Sequence, residues 1–234
     1  MQDIMKKCRR LLQKLNHTLY LDLNLDLDLK VQKMPLTLDH IARRIAEHRP
    51  ILLPSASGTQ SAVAFILRNT ERGPEGLFIE RATRDGDPWS GNVGFPGGRV
   101  EQDDGTLRET AERETREEIG LDLARRVHLG RLSDIAGAHL PVRVACFVYL
   151  VTGEPPLLLS DEVTEAFWVP IVALTAPERR ITASIRFCDR SVTTPAIILP
   201  QPDKPLLWGI TYRLVNEFLE IVGEEEPGGK TAAQ

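Results

Sequence analysis

The sequence predicts a layered α/β domain, with a mixed sheet covered by helices on both faces. Three observations carry that prediction. Apolar runs of strand length recur from Ser61 to Leu67, Gly76 to Arg81 and Val142 to Val151. Amphipathic helical stretches follow Thr37 and Leu206, and a third helix, rich in acids, lies between the strands. A chain of 234 residues, 42% of them hydrophobic, can bury one good core, or one core with appended helices.

Residues 1–33 read as an N-terminal extension. A basic stretch leads into the alternating Leu21-Asp22-Leu23-Asn24-Leu25-Asp26-Leu27-Asp28-Leu29, suited to a strand but low in complexity, and expected to lack order without a partner. Met34-Pro35 is a candidate start for the compact domain, which spans 34–222. Thr37 caps a helix with Leu38, Ile41, Ala42 and Ile45 on one stripe. Two strands follow, Ser61 to Leu67 and Gly76 to Arg81, joined by the turn-rich Asn69 to Pro74. The loop Asp85 to Gly98 delivers the chain to a helix from Thr106 to Ile119. Strands are expected at Val127 to Leu132 and Val142 to Val151, with a turn or bulge from Ala136 to Pro141 between them. The second, long and apolar, belongs inside the sheet. Glu165 to Val169 is another strand, ended by Pro170. A last helix, Leu206 to Val222, carries Leu207, Ile210, Leu214, Phe218 and Ile221 on one side, and 223–234 reads as a flexible acidic tail.

Composition narrows the function. A formal charge of −4 provides no general attraction to nucleic acid or to an anionic membrane. Cys8, Cys146 and Cys188 are widely spaced and form no CxxC pair, which points to reduced thiols rather than a disulfide framework or zinc site. No apolar run approaches bilayer length, and the basic N-terminal residues lack the apolar stretch of a secretory signal. The expectation is a cytoplasmic enzyme acting on a small molecule, with its oligomeric state, a homodimer included, left open.

Chemistry concentrates between Gly97-Gly98 and Arg113-Glu114-Thr115-Arg116-Glu117-Glu118-Ile119-Gly120-Leu121. At about 100° per residue, Glu114, Glu117 and Glu118 share roughly a third of the helix circumference. No Lys or Arg position falls on that arc. Most charge runs on helices are solvated faces with i,i+4 pairs, and Glu109 with Arg113 and Glu112 with Arg116 fit that description. Glu114 and Glu118 fit it poorly, because they share their arc with Leu107 and Ala111, at the edge of the core, where an unpaired charge is costly. A hard, oxygen-seeking divalent cation relieves such repulsion and recruits phosphates. Gly97-Gly98 alone more often means a tight turn; with Pro96 before it and the acidic helix after it, close backbone approach to a ligand is expected.

The segment Phe95 to Leu121 resembles the Nudix box, Gly-x5-Glu-x7-Arg-Glu-U-x-Glu-Glu-x-Gly-U, where U is a bulky apolar residue. Arg113 through Leu121 match every fixed position, except that Thr115 stands at the first U. Gly98 lies fifteen residues before Arg113 rather than fourteen, and the first acid is Asp104 rather than Glu. Both departures are similar to the coenzyme A pyrophosphatase branch, which reads Phe-Pro-Gly-Gly and then an Asp. Leu77 to Arg81, Ser90 to Gly98, Glu162-Val163, Trp168-Val169-Pro170 and Trp208 to Thr211 are also like that branch, so the likeness covers residues 60–222. Phe78-Ile79 stand where it has Leu-Thr, Ala82 replaces its Ser, one extra residue precedes Gly91, and Trp89 replaces its His.

The resemblance implies a Nudix-type α/β/α sandwich with a loop–helix–loop box, and hydrolysis of a diphosphate with Mg²⁺ or Mn²⁺. It assigns metal binding to Glu114, Glu117 and Glu118, with the carbonyl of Gly97 completing the shell and Glu101 and Asp104 as secondary contributors through water. Arg113 is expected to orient a glutamate by a bidentate pair. The general base is left between Glu117 and Glu162. Arg81, Arg84, Trp89 and Gly98 are the candidate substrate contacts: the arginines for a phosphate and the indole for stacking on a base, although surface arginines and turn-packed tryptophans commonly bind nothing. The implied substrate is coenzyme A or acyl-coenzyme A, cut to 3′,5′-ADP and a phosphopantetheine. One alternative is a broad (d)NTP, ADP-ribose or nucleotide-sugar pyrophosphatase. The other, of a different class, is a non-catalytic nucleotide-binding module.

Overall fold

The computed structural model describes residues 36–54, 58–84, 89–138, 140–187 and 190–223. The alternating Leu21 to Leu29 segment, the boundary at Met34-Pro35, Cys8, Cys188 and the acidic tail beyond Gly223 lie outside the described residues.

Helix α1 (Leu38–Glu47) begins where the Thr37 side chain accepts the His40 N–H, and buries Ile41 and Ile45. Strands β1 (Thr59–Thr70) and β2 (Gly73–Arg81) form an antiparallel pair, followed by the short β3 (Val93–Gly94) and β4 (Gly97–Arg99). The acidic helix, α2 (Leu107–Ile119), is capped by Thr106, whose side chain accepts the Glu109 N–H, and is stopped by Gly120 at φ 71°. Strands β5 (Val127–Arg131), β6 (Ile135–Ala136), β7 (Val142–Leu150) and β8 (Val163–Pro170) complete the first sheet. A short helix α3 (Ile171–Thr175) and a 3₁₀ turn (Pro177–Arg179) lead into β9 (Arg180–Phe187) and β10 (Arg190–Ile197). These pair antiparallel, and β11 (Leu207–Trp208) joins β10 as a second sheet before helix α4 (Gly209–Gly223). No helix among the described residues is long and apolar enough to cross a membrane.

The first sheet is mixed, because β1 runs parallel to β7 from Thr59 opposite Val142 to Leu67 opposite Leu150. On its other edge β1 changes partner. Its Ser61–Val63 half pairs with β4, and its Leu67–Thr70 half with β2. Strand β2 instead continues onto β8 and, at Ile79–Glu80, onto β3. The two strands therefore splay, and the Phe95-Pro96-Gly97-Gly98 turn enters the split.

Period-two alternation of β1 makes the sandwich. Phe65 and Leu67 face a cluster with Ile41, Ile45, Leu214 and Phe218, so α1 and α4 cover that face. Ala64 and Ile66 face the opposite cluster, with Ala111 and Ile119 of α2. The predicted α/β class and helix-covered sheet are therefore present. The sequence reading assigned no element to the stretch after Pro170, where α3, β9 and β10 now stand. Alternating Thr, Ser and Arg with single apolar residues on β9 and β10 left that pair without a strong apolar signal.

Candidate active site

Local folding places the acids. Phe95 stacks on Phe65, ring centroids 4.3 Å apart, and so anchors the Pro96-Gly97-Gly98 turn in the core. Gly97 adopts φ 146°, and a Cβ there would strike the Ala62 carbonyl and Val63. A Cβ on Gly98 would strike the Glu114 carboxylate and push it aside, so that acid sits against the turn only because Gly98 has no side chain.

Glu118 is 2% exposed. One carboxylate oxygen accepts the Gly97 N–H at 2.8 Å and the other accepts from Arg81 Nη1 at 3.3 Å. Burial pushes its carboxyl up to about 7; Gly97 and Arg81 oppose the rise, while the charges of Glu114 and Glu162 add to it. Burial likewise raises Glu114, whose nearest cation is Arg113 Nη1 at 3.1 Å, and the charges of Glu117 and Glu162 reinforce that rise. Glu117 is more than half exposed and accepts from Arg113 Nη1 at 2.9 Å.

Three expectations change here. The bidentate partner of Arg113 is Asp104, not a glutamate: Nε and Nη2 donate to its two oxygens at 3.0 and 2.9 Å. Asp104 also accepts from Thr110 and from the Glu101 N–H, each at 2.9 Å, and the Arg113 bonds hold its carboxyl well below the usual range. An acid so committed anchors the helix. Glu101, its side chain exposed, lies 3.9 Å from Arg113. The acidic arc, though no basic position falls on it, is served by the long side chain of Arg113, which reaches Glu114 and Glu117. The helix pairs are thus Arg108 with Glu112 and Arg113 with Glu117, and Glu112 also accepts from the Tyr149 hydroxyl at 2.8 Å.

A cavity of about 660 Å³ opens at the split between β1 and β2. Glu114, Glu118 and Glu162 line it, together with Arg81, Arg84, Trp89, Gly97 and Gly98. Glu162 arrives from the loop before β8, and Arg84 holds it at 2.9 Å while its other nitrogen reaches Asp161 at 3.0 Å. The Ser90 hydroxyl accepts the Arg84 N–H and donates to the Arg84 carbonyl, both at 2.7 Å. Asn92 and Thr211 also line the cavity and were not predicted. The Trp208 to Thr211 stretch, noticed only for its branch likeness, was the available signal, because its indole N–H donates to Asn92 at 3.0 Å.

Among the described residues, no three Asp, Glu, His or Cys side chains close on a common point as a metal-ligand group. Glu114 and Glu117 each pair with Arg113, and Glu118 with the Gly97 N–H and Arg81. The donor chemistry nonetheless suits a hard divalent cation. Glu114 and Glu118 are carboxylates at the cavity wall, both raised by burial and by the charge of Glu162. Arginines beside them suit phosphate oxygens.

Residues 58–187 match the NUDIX domain family model. The chain belongs to the Nudix family. Among its Nudix relatives, an uncharacterized Nudix hydrolase, NudL, of Cronobacter sakazakii is 27% identical over 83% of this chain and 100% of its own length. A probable nudix hydrolase of Schizosaccharomyces pombe is 29% identical over 80% of this chain and 66% of its own length. An uncharacterized protein of the same yeast is 31% identical over 57% of this chain and 48% of its own. The chain thus spans half to two thirds of the length of the yeast relatives that it matches.

Proposed function

We propose that this Nudix protein hydrolyses the diphosphate of a nucleoside diphosphate linked to another group, and that the substrate is coenzyme A or an acyl-coenzyme A. The observation that carries the chemistry is one cavity lined by Glu114, Glu118 and Glu162 together with Arg81 and Arg84, Arg81 paired with Glu118 and Arg84 with Glu162. Arginine forks bind and orient the diphosphate oxygens. Glu114, Glu117 and Glu118, with the Gly97 carbonyl, would hold a divalent cation, which would supply Lewis-acid stabilisation of charge on those oxygens.

Water attacks one phosphorus, the P–O–P bond breaks, and the departing phosphate carries away the electron pair. The proton of the water goes to a carboxylate. Glu162 suits that role better than Glu117, because it lines the cavity while Glu117 is turned to Arg113. In the free protein Arg84 pairs with Glu162. A phosphate drawing on Arg84 would release that carboxylate to act. The coenzyme A assignment rests on the Phe95-to-Gly98 turn, on Asp104, and on the branch likeness on either side of the box.

Hydrolysis of coenzyme A, acetyl-coenzyme A, ADP-ribose, NADH, a nucleotide sugar and (d)NTPs with Mg²⁺ and with Mn²⁺ tests both levels. Release of 3′,5′-ADP with the highest kcat/KM of the panel is expected. Preference for another member would leave the hydrolase and remove coenzyme A. Glu118→Gln should abolish turnover of whichever substrate leads, and Glu162→Gln should cost ~10²-fold or more in kcat. Full activity in both variants would overturn the site.

A further inference from the structure

A second cavity of about 290 Å³ adjoins the first. The two share Trp89, Asn92, Val93, Val142, Ile210 and Thr211 in their walls and are therefore immediate neighbours. Its far wall comes from the second sheet and the start of α4: Phe187, Val192, Thr194, Trp208 and Tyr212. This wall is carbon-rich. Phe187 meets Trp208 edge to face at 5.4 Å, and the Trp208 N–H is spent on Asn92. The guanidinium of Arg213, also at the wall, donates to the Ala136 carbonyl at 2.6 Å.

The wall offers a charged or hydroxyl-rich group few partners, the hydroxyls of Thr194, Thr211 and Tyr212 among mostly carbon atoms, and an unpaired polar group in such a pocket is costly. A hydrocarbon chain loses nothing and gains burial. We propose that this pocket is the acyl subsite, which sets selectivity for the chain carried on the far side of the diphosphate, and that Phe187, Val192 and Trp208 determine its length limit. The assignment rests on the coenzyme A reading above. Trp89 and Ile210, which line both cavities, place this pocket next to the one that holds the arginines.

The test is kcat/KM for coenzyme A and its acetyl, butanoyl, hexanoyl and octanoyl thioesters, with the full chain and with Val192→Trp and Phe187→Ala. None of these positions lies among the acids or arginines of the reaction. Wild type should gain about fourfold for each methylene buried, until the pocket is full. Val192→Trp should erase that gain and leave free coenzyme A within about twofold of wild type. Phe187→Ala should move the optimum to longer chains, so the assignment does not hang on one variant folding. Equal kcat/KM along the series, or a rise that neither variant alters, overturns the acyl subsite while the coenzyme A reading stands. Failure to cleave any coenzyme A compound, with another diphosphate cleaved, overturns the reading and this assignment with it.

Discussion

Asp104 illustrates how one side chain can hold a site in place. Its four hydrogen bonds tie the loop before α2 to Arg113 and Thr110. Because its folded pKa is lowered, it contributes stability that is complete above the unfolded value of 3.8 and is lost as pH falls through the lower folded value. Asp104→Asn should therefore lower Tm at pH 7 and shrink the difference in Tm between pH 7 and pH 3, measured by thermal melts against wild type. The cost at pH 7 should be about 2 kcal/mol, typical for losing a charge-assisted pair. Gly98 is the second residue to probe. An alanine methyl would collide with the Glu114 carboxylate, so Gly98→Ala should cut kcat by ~10²-fold or more through misplacement of that acid, while circular dichroism stays near wild type.

Helix α2 is fixed at both ends as well as packed along one face. Thr106 caps its start and Gly120, in the left-handed region, closes it beside Leu158. Thr106→Ala should cost about 1 kcal/mol in chemical denaturation. Activity should survive, because Asp104, Arg113 and Gly97 still clamp the acidic face. A complete loss of turnover in Thr106→Ala would mean that the clamp is weaker than its geometry indicates. The helix was legible in the sequence because cap, acids and Gly follow one another along the chain. Strands β9 and β10 were not, because their half-exposed, polar-rich alternation has little apolar contrast, and their pairing is decided by contact with β11 and α4.

The splay of β1 and β2 is a property of the whole molecule. Phe65 fills the junction, touching Phe78, Phe95 and Phe218 across the sheet, with the Phe218 ring edge-on at 4.8 Å. Phe65→Ala should destabilise the protein by about 3–5 kcal/mol. Its surviving folded fraction should show weaker binding of substrate, because Phe95 and the glycine turn lose their support. Unfolding monitored by intrinsic fluorescence, together with KM on the same sample, checks both. A stability loss with KM unchanged would separate the core from the site.

By itself the sequence determined the α/β class, helix α2 with both its ends, the glycine turn and the identity of the acids. Each of these is local: backbone freedom at Gly97, capping at Thr106 and the helical spacing of Glu114 and Glu118 are set by residues within a few positions of one another. Tertiary structure alone decided which charges meet. Arg81 lies 37 residues before Glu118, and Arg84 lies 78 before Glu162, so no helical or strand period links them. Their partners follow from the split in the sheet and from the loop that β8 brings back. The same long-range folding joins β10 and α4 into the apolar wall beside the acids, a pocket no short stretch of the chain could announce.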